Sequence, residues 1–250
     1  MKKGLLFVAL VIGAMGAKAQ VNIQEMYDFN RGHLTTTLEM FKGDKWGSTF
    51  FFNDIYHPFD MNVPSEYYTE ISRAITFWQG TKLAPLSLHV EWNGGNFASN
   101  SWLFGVEYFL HSSDYSKRLT FQLMYKEISH IVVHLVDYIP LQFTMVWGVD
   151  NLMGVKGLQF SGFLDVWGSG DTWVNPLVDP TDPVETTHWV MLAEPQLWYN
   201  IGQHFNCGQL SIGGEVEMSY NFAGGWHATT NFYENKGFNV APCLGLKWNF

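Results

Sequence analysis

From Phe238 to Phe250 the chain alternates without a slip. Val240, Pro242, Leu244, Leu246, Trp248 and Phe250 fall on one parity, and Asn239, Ala241, Cys243, Gly245, Lys247 and Asn249 on the other. A period of two puts the two sets on opposite faces of a β-strand. One face is apolar throughout; the other is small or polar. A half-buried strand of a soluble sandwich has this pattern, and so does the closing strand of an outer-membrane barrel, whose apolar face meets lipid. The rest of the chain decides between them.

The same rhythm recurs upstream. Val21, Ile23, Tyr27 and Phe29 alternate with Asn22, Gln24, Asp28 and Asn30 in a first strand. In the second, Leu34, Thr36, Leu38 and Met40 alternate with Thr35, Thr37 and Glu39, and Lys42-Gly43-Asp44-Lys45 then signals a tight hairpin. The third strand, from Trp46 to Asp54, is apolar on both parities through Phe50, Phe51 and Phe52. A fourth is expected from Tyr67 to Trp78, with Arg73 on the apolar parity of Ile71 and Ile75; a charge there points to a bulge or to an arginine reaching for an edge. Cleaner alternation follows in Leu86–Asn93, Trp102–His111 and Leu119–Lys126. The rhythm fades between Glu127 and Pro140 and resumes at 139–149, 158–166, 189–200 and 210–221. The longest loop is expected from Gly168 to Thr187, which holds Pro176, Pro180 and Pro183.

The count is twelve, so the chain reads as all-β, a 12-stranded antiparallel transmembrane β-barrel with both termini periplasmic. The short turns near 42–45, 79–84, 112–117, 150–156 and 202–208 then share one end. Trp46, Trp92, Trp102, Trp147, Trp189, Tyr220 and Trp248 lie near strand ends, where interfacial girdles belong. The alternative is a secreted sandwich or lipocalin-like barrel, with its apolar parity meeting in a core.

Composition supports export and a membrane. Lys2 and Lys3, the apolar run Leu5–Ala14 and Ala17-Lys18-Ala19 make a secretory signal peptide over residues 1–19, leaving 231 of 250 residues as the barrel, 20–250. Lys2, Lys3 and Lys18 leave with it, so 11 basic residues face 23 acidic ones, a net charge of −12. That balance argues against nucleic acid as a partner. Aromatics reach 17% while charged residues stand at only 15%, below the roughly 25% of ordinary soluble domains. Two cysteines, Cys207 and Cys243, are too few for a disulfide scaffold.

With that parity, the lumen receives Asp28, Glu39, Glu70, Glu91, Glu107, Asp165, Glu194, Glu215 and Glu217. Facing them are Lys126, Lys247, His89 and His111, with the aromatics Phe51, Phe109, Phe163, Trp167 and Trp198. Carboxylates and amides hydrogen-bond sugar hydroxyls and ring N–H groups, and aromatic faces stack on rings. The set fits a narrow channel for small neutral or cationic ring-bearing solutes, or else a closed interior network. It implies no cofactor and no metal. The outward partners are outer-membrane lipid and, through the closing strand's Leu246, Trp248 and Phe250, the barrel-assembly machinery of a Gram-negative envelope.

Leu38-Glu-Met-Phe-Lys-Gly-Asp-Lys-Trp-Gly-Ser-Thr-Phe-Phe-Phe-Asn-Asp54 resembles the early hairpin of the Tsx-like nucleoside-specific channels. Leu158–Asp171, Ser101–Tyr108 and Leu244–Phe250 are similar to the same family. The resemblance implies a monomeric twelve-strand barrel passing nucleosides by facilitated diffusion. It assigns no individual nucleoside-binding residue.

Other chemistries find less in the sequence. An outer-membrane lipid hydrolase needs a nucleophile within reach of a base, and only Ser99 and Ser129-His130 hint at one. Glu127, His130, His134 and Asp137 would share one face of a helix and hold a divalent metal there; as strand ends and loop, they simply face water. A non-transporting barrel that partners another envelope protein is the third class. If the leader reading is right, intact mass of the protein recovered from membranes begins at Gln20; retention of residues 1–19 would refute it.

Overall fold

The computed structural model describes residues 20–58, 65–96, 100–128, 139–172, 186–222 and 237–250. The leader, most of 127–140 and the proline-rich stretch 173–185 lie outside them, as do Ser99, Ser129, His130, His134 and Asp137. The described residues form twelve antiparallel strands: β1 Gln20–Asp28, β2 His33–Asp44, β3 Gly47–His57, β4 Glu66–Ile75, β5 Leu86–Gly95, β6 Ser101–His111, β7 Lys117–Ile128, β8 Leu141–Asp150, β9 Leu158–Thr172, β10 in two segments (Thr186–Ala193 and Gln196–Tyr199), β11 Leu210–Tyr220 and β12 Phe238–Asn249. Each pairs with its sequence neighbours, and β12 returns to β1 in a register running from Asn22↔Asn249 to Asp28↔Cys243. The sheet therefore closes on itself and leaves no edge. A closed ladder is the form in which strands satisfy every N–H and C=O without solvent.

Gln20 and Phe250 lie at one end of the barrel, with the β2–β3, β4–β5, β6–β7, β8–β9 and β10–β11 turns. These turns are built locally. Between β6 and β7, Asp114 accepts hydrogen bonds from the Ser112 hydroxyl at 2.6 Å and from the Ser116 hydroxyl and backbone N–H at 2.8 and 3.1 Å. Those donors, Ser112 first, hold its carboxyl down at about 2.

Several boundaries differ from the sequence reading. The fourth strand stops at Ile75 rather than Trp78; Thr76 N–H then bonds Trp46 O at 2.8 Å and the chain turns. The expected loop at 168–187 begins later, because Gly168 and Asp171 still pair with Trp189 and Thr187. β10 breaks at Pro195, which has no N–H to donate, yet the ladder bridges the gap: Glu194 N–H reaches Phe163 O and Val216 N–H reaches Pro195 O, both at 3.0 Å. Arg73 does point outward. It lies near the β2–β3 turn, where it meets Asp44 at 2.8 Å and Thr49 at 3.0 Å, so the charge finds its partner at the barrel's edge.

The two parities are sorted inside out relative to a soluble domain. On β6, Trp102, Phe104, Val106, Tyr108 and Leu110 are 40–50% exposed, while inward Leu103 is 0% exposed. Buried positions include Asn22, Gln24, Asp28, Thr35, Thr37, Ser72, Ser87, His89, Glu91, Gln122, Thr144, Ser211 and Lys247, all on the inward parity. A lipocalin-like arrangement, with apolar residues inside, is thereby excluded.

Closure depends on small residues where strands approach. Gly245 on β12 pairs with Gly213 on β11 and Met26 on β1. A Cβ at Gly245 would lie 2.2 Å from Glu25 O, and one at Gly213 would lie 2.1 Å from Leu197 O. Gly245→Ala is expected to lower the unfolding free energy in detergent by about 1–3 kcal/mol, since the obstruction is backbone. Gly208→Ala, with nothing within 4 Å of its Cβ, should stay within about 0.5 kcal/mol. Urea titration of both variants checks this; equal stabilities would contradict the role given to Gly245.

Candidate functional site on the inner wall

Strand register places these sequence-predicted lumen residues on the inward parity: Glu39 on β2, Glu70 on β4, Glu91 on β5, Glu107 and Phe109 on β6, Lys126 on β7, Asp165 and Trp167 on β9, Glu194 and Trp198 on β10, Glu215 and Glu217 on β11, and Lys247 on β12. The expectation for Phe51 is corrected. Its partners are Met40 and Ile71, and Ile71 is exposed, so Phe51 faces outward while Phe50 and Phe52 face in. In the run Phe50-Phe51-Phe52 both faces carry the same side chain, so periodicity has nothing to register.

The inward groups form three connected sets. In the first, His89 bridges two carboxylates: Nδ1 lies 3.0 Å from Glu107 and Nε2 lies 3.2 Å from Glu91. Gln122 donates to Glu107 at 3.1 Å and Asn93 to Glu91 at 3.3 Å. In the second, the Tyr68 hydroxyl donates to Glu70 at 2.8 Å and Thr144 donates to Asp165. Lys126 reaches Gln142 at 2.9 Å and stands 4.5 Å over the Trp167 ring. Glu70, Glu91, Asp165 and Lys126 interact electrostatically. The third set gathers Asp54, Glu194, Glu215 and Glu217 with Arg31. Thr37 donates to Asp54 at 2.5 Å and Gln196 to Glu215 at 2.9 Å. Beside it, Lys247 covers the Trp198 face at 4.3 Å, and Trp198 Nε1 donates to Gln196 at 2.9 Å. Glu39 accepts from Asn22 at 3.1 Å.

Glu70 on β4 meets the field of Asp165 on β9, and Asp54 on β3 that of Glu194 on β10. These strands lie five places apart around a wall of twelve, so carboxylates from opposite sides of the barrel act on one another across the interior. Carboxylates dominate it, with amides and hydroxyls supplying donors between them. Phe109 stands apart: it stacks on His111 at 5.1 Å near the β6–β7 turn and belongs to the terminal-end mouth. Glu127 faces outward and accepts from Tyr125 at 2.8 Å. Cys207 and Cys243 are free thiols.

Sequence reasoning missed Arg31, Asp54 and Tyr68. Asp54 is legible from its neighbour, since it sits opposite Thr37 once the β2–β3 turn is fixed. Arg31 lies in a turn, where parity carries no information.

Comparison with known proteins adds two findings. A family model described as a domain of unknown function, DUF5020, matches residues 21–250. Among solved structures, the NanC porin in its rhombohedral crystal form aligns over 92% of this chain and 100% of its own, at a TM-score of 0.51 and 9% identity. At that identity the similarity concerns the fold. Curated proteins gave no match.

His89 makes the most exposed claim of this geometry. His89→Ala leaves Glu91 and Glu107 without their shared partner and should cost about 1–3 kcal/mol of stability at neutral pH. Urea unfolding in detergent measures it; a change below about 0.5 kcal/mol, the level of a neutral surface substitution, would contradict the bridge.

Proposed function

The chain belongs to the DUF5020 family, and we propose that it is an outer-membrane channel of a Gram-negative bacterium, exported by its leader and passing small neutral or cationic ring-bearing solutes by facilitated diffusion. One observation carries this reading: a closed twelve-strand barrel wears its apolar parity outside and an acidic, amide-rich parity inside. Large exposed aliphatic and aromatic side chains all round a closed sheet are stable against hydrocarbon. A polar interior of carboxylates favours cations and hydrogen-bonding solutes over anions. The porin-like fold supports the same reading. Leu246, Trp248 and Phe250 stand 38–63% exposed on the outer face, where an assembly machinery would read them.

Nucleosides are the solute class that the sequence resemblance favours. The inner wall offers them carboxylate and amide partners and the ring faces of Phe52 and Tyr68, which lie 5.9 Å apart. Trp167 and Trp198 are less available, because Lys126 and Lys247 already cover one face of each.

Planar-bilayer recording tests the proposal. The purified protein should give cation-selective steps that fall when nucleosides are added, and the double variant Glu70→Gln, Asp165→Asn should reduce the cation preference. Silence under all conditions would favour a sealed barrel that serves as a structural or complex-forming protein. An unchanged selectivity in the double variant would contradict the placement of those carboxylates on the conduction path.

A further inference from the structure

Wall cations such as Lys126 and Lys247 come from strand positions whose parity points them inward. Arg31 does not. It lies in the β1–β2 turn, at the end of the barrel opposite the termini, and its side chain is nonetheless only 9% exposed. The turn is built to send it in. Asp28 Oδ1 accepts the backbone N–H groups of Asn30 at 2.7 Å and Arg31 at 2.9 Å, an Asx-type turn. Gly32, at φ 68°, closes it by donating to Asp28 O at 2.9 Å. The chain folds back toward the lumen, where the guanidinium forms an ion pair with Asp28 at 3.1 Å and donates a hydrogen bond to Glu217. Glu217 is on β11, so the contact spans the β1–β12 pairing that closes the barrel. Glu194 and Glu215 feel the same cation, and Asp54 lies within the field of Glu217.

Resting on the channel reading above, we propose that Arg31 is a tethered counter-ion at the loop-side mouth, setting how strongly the acidic lumen selects cations and excluding small guanidinium or ammonium solutes from the carboxylates it occupies. One guanidinium pairs with Asp28 and Glu217 and lies within the field of Glu194 and Glu215. Its planar fork matches two carboxylates at once, as a lysine's point charge does not. A wall lysine compensates charge at one fixed depth, whereas Arg31 does so at the entrance, where the field concentrates entering ions.

The test compares the full-length mature barrel with Arg31→Gln, Arg31→Lys and Glu217→Gln in planar bilayers under a potassium chloride gradient, and in detergent during thermal unfolding. Arg31→Gln should raise the potassium-to-chloride permeability ratio roughly twofold or more, and millimolar guanidinium chloride should then block its current but not the parent's. Arg31→Lys should stay near the parent ratio, and Glu217→Gln should lower it. In detergent, guanidinium at the same concentration should raise the unfolding temperature of Arg31→Gln above that in equal sodium chloride, and leave the parent unchanged. A conducting parent whose selectivity is the same in Arg31→Gln overturns the role of Arg31 and spares the channel. Failure of Arg31→Gln to fold transfers the decision to Glu217→Gln, where an unchanged ratio overturns it. A silent parent overturns the channel, and the role of Arg31 with it.

Discussion

The pairing of β1 with β12 is the constraint on which the rest depends. It joins the two ends of the chain and turns an open sheet, with an unpaired edge on each side, into a ring. Once the ring is closed, the period of two in every strand becomes a distinction between outside and inside, and a side chain's fate is fixed by its parity. Glycines at the seam permit the close approach that closure requires, and the turn at Asp28–Gly32 spans the same seam from above with an ion pair. The fold and the proposed site thus share one origin. Acidic groups far apart in sequence become neighbours because the ladder rolls them into one small volume.

The interior is not a dilute polar channel. Leu103, Met124 and Trp198 are almost wholly buried within it, and His89, Lys126 and Lys247 are each held against carboxylate, amide or ring partners. On the channel reading proposed above, a lumen of this kind would discriminate by hydrogen bonding and charge more than by size, because a solute would exchange its water for these groups. The surplus of carboxylates sets the sign of that discrimination. On the same proposal, cations spaced around the wall and at the mouth would limit its strength.

How much of this was legible in the sequence follows from where the two faces differ chemically. In β5 and β12 one parity is polar or small and the other large and apolar, and the inward set reads directly; in β6 Gly105, Glu107 and His111 mark the inward parity despite Leu103 and Phe109. In β3 the run Phe50-Phe51-Phe52 erases the difference, so only the register against Thr37 and Glu70 reveals that Asp54 and Phe52 face in. Pro195 interrupts β10 without shifting its parity, since the flanking bonds of Glu194 and Val216 carry the ladder across, and Glu194 and Trp198 were placed inward for that reason. Arg73 looked anomalous as a charge on the apolar parity and is explained by Asp44, a partner contributed by a turn. Arg31 was invisible because its direction is set by an Asx turn and a left-handed glycine. Alternation describes strands, and the residues that it misses are those that turns deliver.

The central claim is that even-numbered residues of β6 face hydrocarbon and odd-numbered ones a polar interior. Spin-label scanning tests it most directly: single cysteines placed from Trp102 to Leu110, with Cys207 and Cys243 replaced by serine, are labelled and read by electron paramagnetic resonance in lipid bilayers. The account predicts collision with oxygen that peaks at 102, 104, 106, 108 and 110 and drops at 103, 105, 107 and 109. A flat profile, or one with the opposite phase, would contradict it.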